Sequence, residues 1–174
     1  MAEKPRFSIE PLSSAFDRTN FSCGTEALDR YCREQMGQDA RRNLAIPYVL
    51  LAEGSTVVSG YYTLSCTGIP TTDLPEDVRK RIPYELAPAL LLGRFAVAGE
   101  AQGQELGKLT LIDALRRSLE ISKSAAATGV VVDAKDERAA GFYEHMGFIR
   151  FPENPLRLYL PMKTIERLFG EWAI

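Results

Sequence analysis

The sequence has little of what metal centres and charge-relay triads are made from. Its 174 residues contain one histidine and three cysteines, and Cys23, Cys32 and Cys66 are scattered rather than set at metal-ligand spacing. A metal site or a Ser-His-Asp triad therefore has almost nothing to be built from, and we expect no metal. An odd number of unclustered cysteines favours reduced thiols, which we expect to pack in the interior.

Long hydrophobic runs and a strong excess of one charge are also missing. The apolar run over 87–92 is interrupted well before it reaches membrane-spanning length, and no charged-then-apolar leader opens the chain. With 45% hydrophobic residues, 25% charged residues and a formal net charge of −2, the composition is typical of a soluble globular protein. We expect one cytoplasmic domain over residues 1–174, and only local basic clusters as candidates for binding nucleic acid.

The pattern of apolar and turn-forming residues predicts a chain of the α/β class. A helix is expected over 25–40, followed by strands over 48–52 and 57–64 that form a hairpin. The proline-rich stretch over 69–88 is expected to be a loop with one short helix. Strands and helices then alternate over 89–97, 106–126, 130–134, 137–146 and 148–151, before a strand over 156–160 and a helix over 163–168. This alternation predicts a right-handed βαβ core with parallel strands, and the hairpin makes the sheet mixed.

One glycine-containing turn lies between the strand over 89–97 and the helix that follows. It consists of Gln102-Gly103-Gln104-Glu105-Leu106-Gly107-Lys108. In a strand, turn and helix of this kind, unpaired N–H groups and the helix dipole point at one place, which favours a phosphate group. Glu105 puts a carboxylate into the same turn, where it repels a bound anion.

With two further segments, this turn resembles the Gcn5-related N-acetyltransferases (GNATs). The matching segments are Leu92-Gly93-Arg94-Phe95-Ala96-Val97, the turn itself, and Ala140-Gly141-Phe142-Tyr143-Glu144-His145-Met146-Gly147-Phe148. The resemblance implies the GNAT fold, with antiparallel N-terminal strands in a mixed central sheet, a βαβ core that binds acetyl-CoA, and flanking helices. It also implies acetyl-CoA as the cofactor, with its pyrophosphate held by the amides of the turn.

The resemblance assigns roles to the matched positions. The expected cofactor contacts are Phe95, Ala96, Val97, Gln102, Gly103, Gln104, Glu105, Leu106, Gly107, Lys108 and Phe142. Tyr143 is the expected catalytic residue, because a phenol with a pKa of about 10 keeps its proton at neutral pH and can give it to the departing thiolate. Packing of the Tyr143 ring beneath the cofactor is the alternative. The family pattern has glycine where this chain has Glu105, so weakened acetyl-CoA binding is expected.

The N-terminal half is similar to the GNAT toxins of bacterial toxin–antitoxin pairs. Its matching segments are Phe21-Ser22-Cys23-Gly24, Leu28-Asp29-Arg30-Tyr31, Gln38-Asp39-Ala40-Arg41-Arg42 and Gly60-Tyr61-Tyr62-Thr63-Leu64-Ser65. That family acetylates the α-amino group of aminoacyl-tRNA and so stops translation. The resemblance implies an aminoacyl-tRNA substrate, a ribbon-helix-helix antitoxin as partner and a homodimer, for which the tail Trp172-Ala173-Ile174 is a candidate contact.

Grouped basic residues are the candidates for RNA contact, because cations clamp phosphates without reading sequence. They are Arg41, Arg42, Arg79, Lys80, Arg81 and Arg94. Asp133 and Asp136 are candidate bases for an ammonium group, although carboxylates at strand ends more often cap helices, and His145 is given no catalytic role. Two alternatives stay open: a GNAT that acetylates a protein N-terminus or a small amine, and a catalytically dead binding protein disarmed at Glu105.

Overall fold

The computed structural model describes Glu3, residues 5–103 and residues 105–170. Within these residues the strands are β1 (Phe7–Pro11), β2 (Ile46–Ala52), β3 (Val58–Pro70), β4 (Leu86–Val97), β5 (Gly129–Asp133), β6 (Ile149–Arg150) and β7 (Arg157–Pro161). The α-helices are α1 (Glu26–Arg30), α2 (Met36–Arg41), α3 (Glu76–Arg79), α4 (Leu106–Ser122), α5 (Glu137–His145) and α6 (Met162–Gly170). A π-helical stretch, Tyr31–Gln35, joins α1 to α2, and 3-10 turns occur at Thr71–Asp73 and Gly99–Ala101.

The strands form a mixed sheet in the order β1-β2-β3-β4-β5-β7-β6. β1, β2 and β3 pair antiparallel, β4 and β5 pair parallel, and β7 is antiparallel to both β5 and β6. The mixed α/β class and the antiparallel N-terminal strands are therefore confirmed. In the described part of the chain, no helix combines the length and the apolarity needed to cross a membrane.

The chain divides into two compact units, of which the first is Met1–Ser65 with Gly93–Ala114. Its central side chain is Tyr61, which lies edge-on to Phe21 at 5.4 Å, stacks on Tyr31 at 6.0 Å and donates its hydroxyl to the Leu28 carbonyl oxygen at 2.7 Å. The consecutive residues Val49, Leu50 and Leu51 of β2 are all buried. A strand that is buried on both faces has a continuous apolar sequence, which is why β2 was recognisable in the sequence.

The second unit is Cys66–Leu92 with Leu115–Ile174. Its parallel pairing joins Leu90 to Val130 and Leu92 to Val132, and β7 packs along the other edge of β5. Gly129 at the start of β5 has no room for a side chain, since a Cβ there would lie 2.5 Å from the Leu160 carbonyl oxygen. This glycine therefore permits the close approach of β7 to β5.

The prediction of parallel strands throughout the second half is wrong after β5. The strand that follows α5 does not return beside β5; β6 pairs only with β7, and β7 occupies the place next to β5. The loop between β6 and β7 is short, and such a loop joins antiparallel neighbours, whereas a parallel neighbour needs a crossover. The chain therefore closes this edge as an antiparallel hairpin.

Candidate functional site

The candidate cofactor turn, residues 98–108, connects the end of β4 to the start of α4. Leu106 is buried against Leu50 and Ala101, which fixes where the helix begins. The Leu109 amide donates to the Glu105 carbonyl oxygen at 3.1 Å as the first helical hydrogen bond. The amides of Leu106, Gly107 and Lys108 precede it and belong to the first helical turn, whose N–H groups have no preceding turn to bond to. This end of α4 therefore offers N–H groups and a favourable dipole to an anion.

Gln102 shapes the candidate cofactor turn through its side chain. Its Nε2 donates to the Val97 carbonyl oxygen at 2.9 Å and to the Cys23 carbonyl oxygen at 3.0 Å. Beside it, the Gly99 amide donates to the Ser22 carbonyl oxygen at 2.8 Å. A primary amide has two N–H donors, and here both bond to protein carbonyls rather than pointing at a ligand. Gln102 is an expected cofactor contact, and in this structure its side chain positions the turn.

The carboxylate of Asp29 holds the segment to which Gln102 is bonded. Asp29 is 5% exposed and accepts the Cys23 amide at 2.7 Å. Burying a carboxylate is costly unless it is hydrogen-bonded, so this contact fixes the loop that contains Ser22 and Cys23. Sequence reasoning assigned no role to Asp29 and only a packing role to Cys23. The available signal was that all of them lie in segments that carry the resemblance to GNAT toxins.

Glu105 has a backbone conformation that favours glycine. Its φ is +60°, and Gly103 in the same turn has φ +84°. For a residue with a Cβ, left-handed backbone costs about 1 kcal/mol. The side chain is exposed. The structure therefore adds a backbone reason to the charge argument: the turn retains the shape that a glycine would give it, although the chain has glutamate there.

Main-chain groups of β4 lead into the candidate cofactor turn. The parallel pairing of β4 ends with Leu92 and Val132, while β4 itself continues to Val97. Ala96 is buried, and Phe95 and Val97 are half-buried. Gln104, another expected cofactor contact, lies outside the described residues, as does the tail Trp172-Ala173-Ile174.

Tyr143, in the second unit, lies on α5 among aromatic side chains. Its ring meets the rings of Phe142 and Phe148 edge-on, at 5.3 Å and 5.5 Å between centroids. Tyr143 is 5% exposed, and burial raises the pKa of its hydroxyl well above the ordinary value. The phenol therefore keeps its proton at any physiological pH, as a proton donor must.

Local capping explains the other residues near α5. Asp136 accepts the Ala139 amide at 2.8 Å as the N-cap of the helix, and Asp133 lies 3.3 Å from Arg157 in an ion pair. Gly147 follows the helix with φ +101°, the left-handed backbone with which many helices end. His145 is exposed. The capping interpretation of Asp136 is confirmed, and these contacts give Asp133 and Asp136 structural roles.

Packing was the expectation for all three cysteines, and it is wrong for Cys66. Cys32 is buried, Cys23 is half-buried, and Cys66 is exposed on β3. Burial raises the pKa of the Cys32 thiol to about 12, so that thiol stays protonated and inert. Among the described residues, no three His, Cys, Asp or Glu side chains come together as metal ligands.

The basic candidates for RNA contact are all exposed, and they are divided between the two compact units. Arg41, Arg42 and Arg94 lie in the first unit, and Arg79, Lys80 and Arg81 lie in the second. Arg94 has a fixed position, because its guanidinium lies 3.9 Å above the ring of Tyr31, whose hydroxyl donates to Asp39 at 2.9 Å. Lys80 pairs with Glu76 at 3.4 Å on the exposed face of α3, a weak contact that RNA can displace.

Two curated proteins match this chain along nearly its whole length. A tRNA-acetylating toxin of Mycobacterium tuberculosis is 33% identical over 160 residues, which cover 92% of this chain and 95% of that protein. The probable toxin TacT of Sinorhizobium fredii is 28% identical over 171 residues, or 93% of this chain and 94% of that protein. No protein-family model matches the chain.

Solved structures match it equally well. A tyrosine-to-phenylalanine variant of KacT superposes with a TM-score of 0.89 at 33% identity, over 94% of this chain and 99% of that one. AtaT complexed with acetyl-methionyl-tRNAfMet gives 0.88 at 32% identity, over 94% and 99%. An AtaT variant bound to the C-terminus of the antitoxin AtaR and acetyl-CoA gives 0.81 at 28% identity, over 95% and 99%.

This chain is an acetyl-CoA-dependent N-acetyltransferase of the GNAT class. The class is defined by the mixed sheet, by the turn between β4 and α4, and by these structural neighbours. The sequence identity of 33% to the mycobacterial toxin, over nearly the full length of both chains, identifies the family within this class. This chain belongs to the family of GNAT toxins that acetylate tRNA.

Proposed function

We propose that this chain transfers the acetyl group of acetyl-CoA to the α-amino group of an aminoacyl-tRNA and thereby blocks translation. The observation that carries the proposal is the match to AtaT, which was solved with acetyl-methionyl-tRNAfMet and superposes on 94% of this chain. The mycobacterial toxin supports it independently through its sequence. Transfer to a protein N-terminus or to a small amine has no comparable support.

Acetyl-CoA supplies an acetyl group already activated as a thioester. In our proposal its pyrophosphate lies at the start of α4, where the amides of Leu106, Gly107 and Lys108 donate and the Lys108 ammonium adds a positive charge. Gly103 and Gln104 belong to the same cradle. Main-chain groups of Phe95, Ala96 and Val97 bind the pantetheine arm as an added strand would, and Phe142 contributes apolar contact. The N–H groups, the cation and the open space at Gly103 fit such a group, whereas Glu105 opposes it.

Tyr143 is the proposed proton donor. When the neutral amine attacks the thioester carbonyl carbon, the carbon–sulfur bond breaks and the departing thiolate takes the phenolic proton. The amine loses its proton to solvent, and the Tyr143 phenolate regains a proton from solvent, so charge balances over the reaction. Burial raises the Tyr143 pKa, so the phenol is protonated at neutral pH, although the same shift makes it a weaker acid toward the departing thiolate. Before attack, the ammonium group must lose a proton, and we propose that water takes it. Asp133 pairs with Arg157 and Asp136 caps α5, so neither is proposed as the base.

The basic residues Arg41, Arg42, Arg79, Lys80, Arg81 and Arg94 are the proposed RNA contacts. Their exposure and their lack of sequence-reading geometry suit phosphates rather than bases. A ribbon-helix-helix antitoxin is the proposed protein partner, in line with the AtaR complex of the neighbour. We propose further that the protein is a homodimer and that it works in the cytoplasm, where charged tRNA is available.

Glu105 supports a second candidate function. A glutamate in left-handed backbone, beside the place where the pyrophosphate should bind, disfavours the cofactor by strain and by charge. A chain disarmed in this way would still bind RNA and antitoxin without acetylating anything. The two candidates share the fold and differ only in turnover.

Acetylation of charged tRNA tests both candidates. Wild-type protein, Glu105→Gly and Tyr143→Phe are incubated with aminoacyl-tRNA and radiolabelled acetyl-CoA, with a protein N-terminal peptide and a small polyamine as competing acceptors. The proposal expects label on the aminoacyl-tRNA alone, lowered by about 10²–10⁴-fold in Tyr143→Phe. Activity restored only in Glu105→Gly would establish the disarmed form. Label on the peptide or the polyamine, with none on tRNA, would contradict the proposal.

A further inference from the structure

Two guanidinium groups converge over Gly37 in the first unit. The position that a Cβ of Gly37 would occupy lies 3.3 Å from an Arg18 terminal nitrogen and 3.3 Å from an Arg41 terminal nitrogen. The two nitrogens are therefore no further apart than twice that distance. Like charges this close repel each other, and an anion between or beside them would relieve that repulsion.

Arg18 is held in this position by the backbone of the π-helical stretch. Its Nη1 donates to the Cys32 carbonyl oxygen at 2.8 Å, and its side chain is half-buried. Arg41 ends α2 and is exposed, so it can adjust to a ligand. A fixed arginine and an adjustable one can together bind a tetrahedral anion from two directions.

The guanidinium groups over Gly37 are not neutralised by the protein. Within the part of the chain that the structure describes, neither Arg18 nor Arg41 forms an ion pair with a carboxylate. The carboxylate of α2, Asp39, is committed elsewhere: it accepts the Tyr31 hydroxyl at 2.9 Å and the Gln35 amide at 3.1 Å. Arg42 follows directly and adds a further cation to this end of the helix.

We propose that Arg18 and Arg41 form a subsite for one backbone phosphate of the RNA substrate, with Gly37 supplying the space in which they converge. The inference rests on the proposed function. It adds Arg18 to the basic residues expected to contact RNA, and it gives Gly37 the role of leaving space for the phosphate. Phosphodiester oxygens can each accept from one guanidinium, and both N–H forks match this geometry. A backbone phosphate carries no base identity, so the subsite contributes affinity and register rather than sequence choice.

Removing the arginines gives the first test. The affinity for bulk uncharged tRNA is measured for wild type, Arg18→Gln, Arg41→Gln and the double variant, at salt concentrations of about 50–200 mM. Arg30→Gln is the matched control, because Arg30 is an exposed arginine of the neighbouring α1 that pairs with Glu26 at 3.6 Å. Acetylation of charged tRNA by wild type, measured in parallel, reports on the proposed function separately.

Two arginines that share one phosphate should behave as a unit. Each single variant should weaken binding about fivefold to tenfold, and the double variant should lose less than the product of the two. The salt slope of the double variant should fall by about 0.7–0.9, the value of one phosphate. The subsite would be overturned if the affinity loss of the double variant equalled the product of the single losses and each arginine changed the salt slope independently. It would also be overturned if the affinity losses were no larger than that of Arg30→Gln. Wild-type protein that neither binds nor acetylates tRNA would overturn the proposed function and the subsite with it.

Gly37→Ala tests the space between the arginines without removing a charge. The added methyl group would lie 3.3 Å from a terminal nitrogen of each arginine, so each guanidinium group must give way by a few tenths of an ångström. We expect RNA binding to weaken about threefold or more while the melting temperature holds or rises, because alanine favours a helix over glycine. This variant also serves if Arg18→Gln fails to fold. Binding equal to wild type in Gly37→Ala would contradict the shared phosphate.

Discussion

The side-chain amide of Gln102 donates to the carbonyl oxygen of Cys23 at 3.0 Å, across 79 residues of sequence. Through this bond, the candidate cofactor turn is fixed to the N-terminal loop, which Asp29 holds in turn through the Cys23 amide. The segment that distinguishes GNAT toxins in the sequence therefore supports the cofactor turn directly.

Gln102→Ala should loosen the candidate cofactor turn. The side chain makes two hydrogen bonds to carbonyls in an exposed setting, so the loss of unfolding free energy should be about 1 kcal/mol. The KM for acetyl-CoA should rise more than kcat falls, since in our proposal the turn binds the cofactor and does not carry the proton donor. Gln35→Ala, which removes a single exposed amide contact to Asp39, is the control. An unchanged KM for Gln102→Ala would show that the turn keeps its shape without this side chain.

Glu105→Gly should tighten acetyl-CoA binding by about fivefold to tenfold, which corresponds to about 1 kcal/mol. Stability should hardly change, because relief of left-handed strain is offset by the greater freedom of glycine in the unfolded chain. Isothermal titration calorimetry measures the affinity and urea unfolding the stability. Glu105→Gln retains the side chain and the strain but removes the charge, so comparing both variants separates electrostatics from backbone shape. Equal affinities in all three proteins would refute the expected weakening.

Asp136→Ala should destabilise the protein by about 1 kcal/mol, the usual value of an N-cap. The cap starts α5, which carries Tyr143, so helix fraying should also lower the yield of folded, active enzyme. Urea unfolding gives the energy, and Asp136→Asn should recover most of it because asparagine caps well. Asp77→Ala, at an exposed aspartate of α3, is the control for loss of one carboxylate. An Asp136→Ala variant as stable as wild type would show that α5 is fixed by packing alone.

On the alkaline side, stability should fall above about pH 10. Burial raises the pKa of Tyr31, Tyr61 and Tyr143, so the folded state holds these protons more tightly than the unfolded state. Their contribution is complete below the unfolded pKa and is lost as the pH rises toward the folded values. Urea midpoints between pH 8 and pH 11 measure this loss. Tyr143→Phe should flatten the alkaline slope, whereas Tyr84→Phe, at a side chain 74% exposed, should change it less; the reverse order would contradict the assignment.

Local pattern was enough to predict most elements and the cofactor turn. Continuous apolar runs mark β2, β4 and β5, helical spacing marks α4 and α5, and Gly147 and Asp136 mark the ends of α5. These features depend on neighbours within one or two turns of chain, where periodicity and capping residues are diagnostic. The π-helical stretch between α1 and α2 was not predicted, because it leaves the apolar spacing nearly unchanged.

Contacts between residues far apart in the sequence determined the features that the local pattern did not predict. The insertion of β7 between β5 and β6 follows from hairpin closure and from the space at Gly129, neither of which has a sequence period. The meeting of Arg18 with Arg41, and of Gln102 with Cys23, depends on how separate segments fold together.

By itself, the sequence determined the class of this protein, because the spacing of Val97, the turn and Tyr143 along the chain is a family pattern that needs no coordinates. Only the tertiary structure decided that the Gln102 side chain bonds to the carbonyl oxygens of Val97 and Cys23, and that Glu105 has left-handed backbone. The reason is physical: residue type limits what chemistry a position offers, whereas hydrogen-bond partners, burial and φ are set by the segments that fold against it.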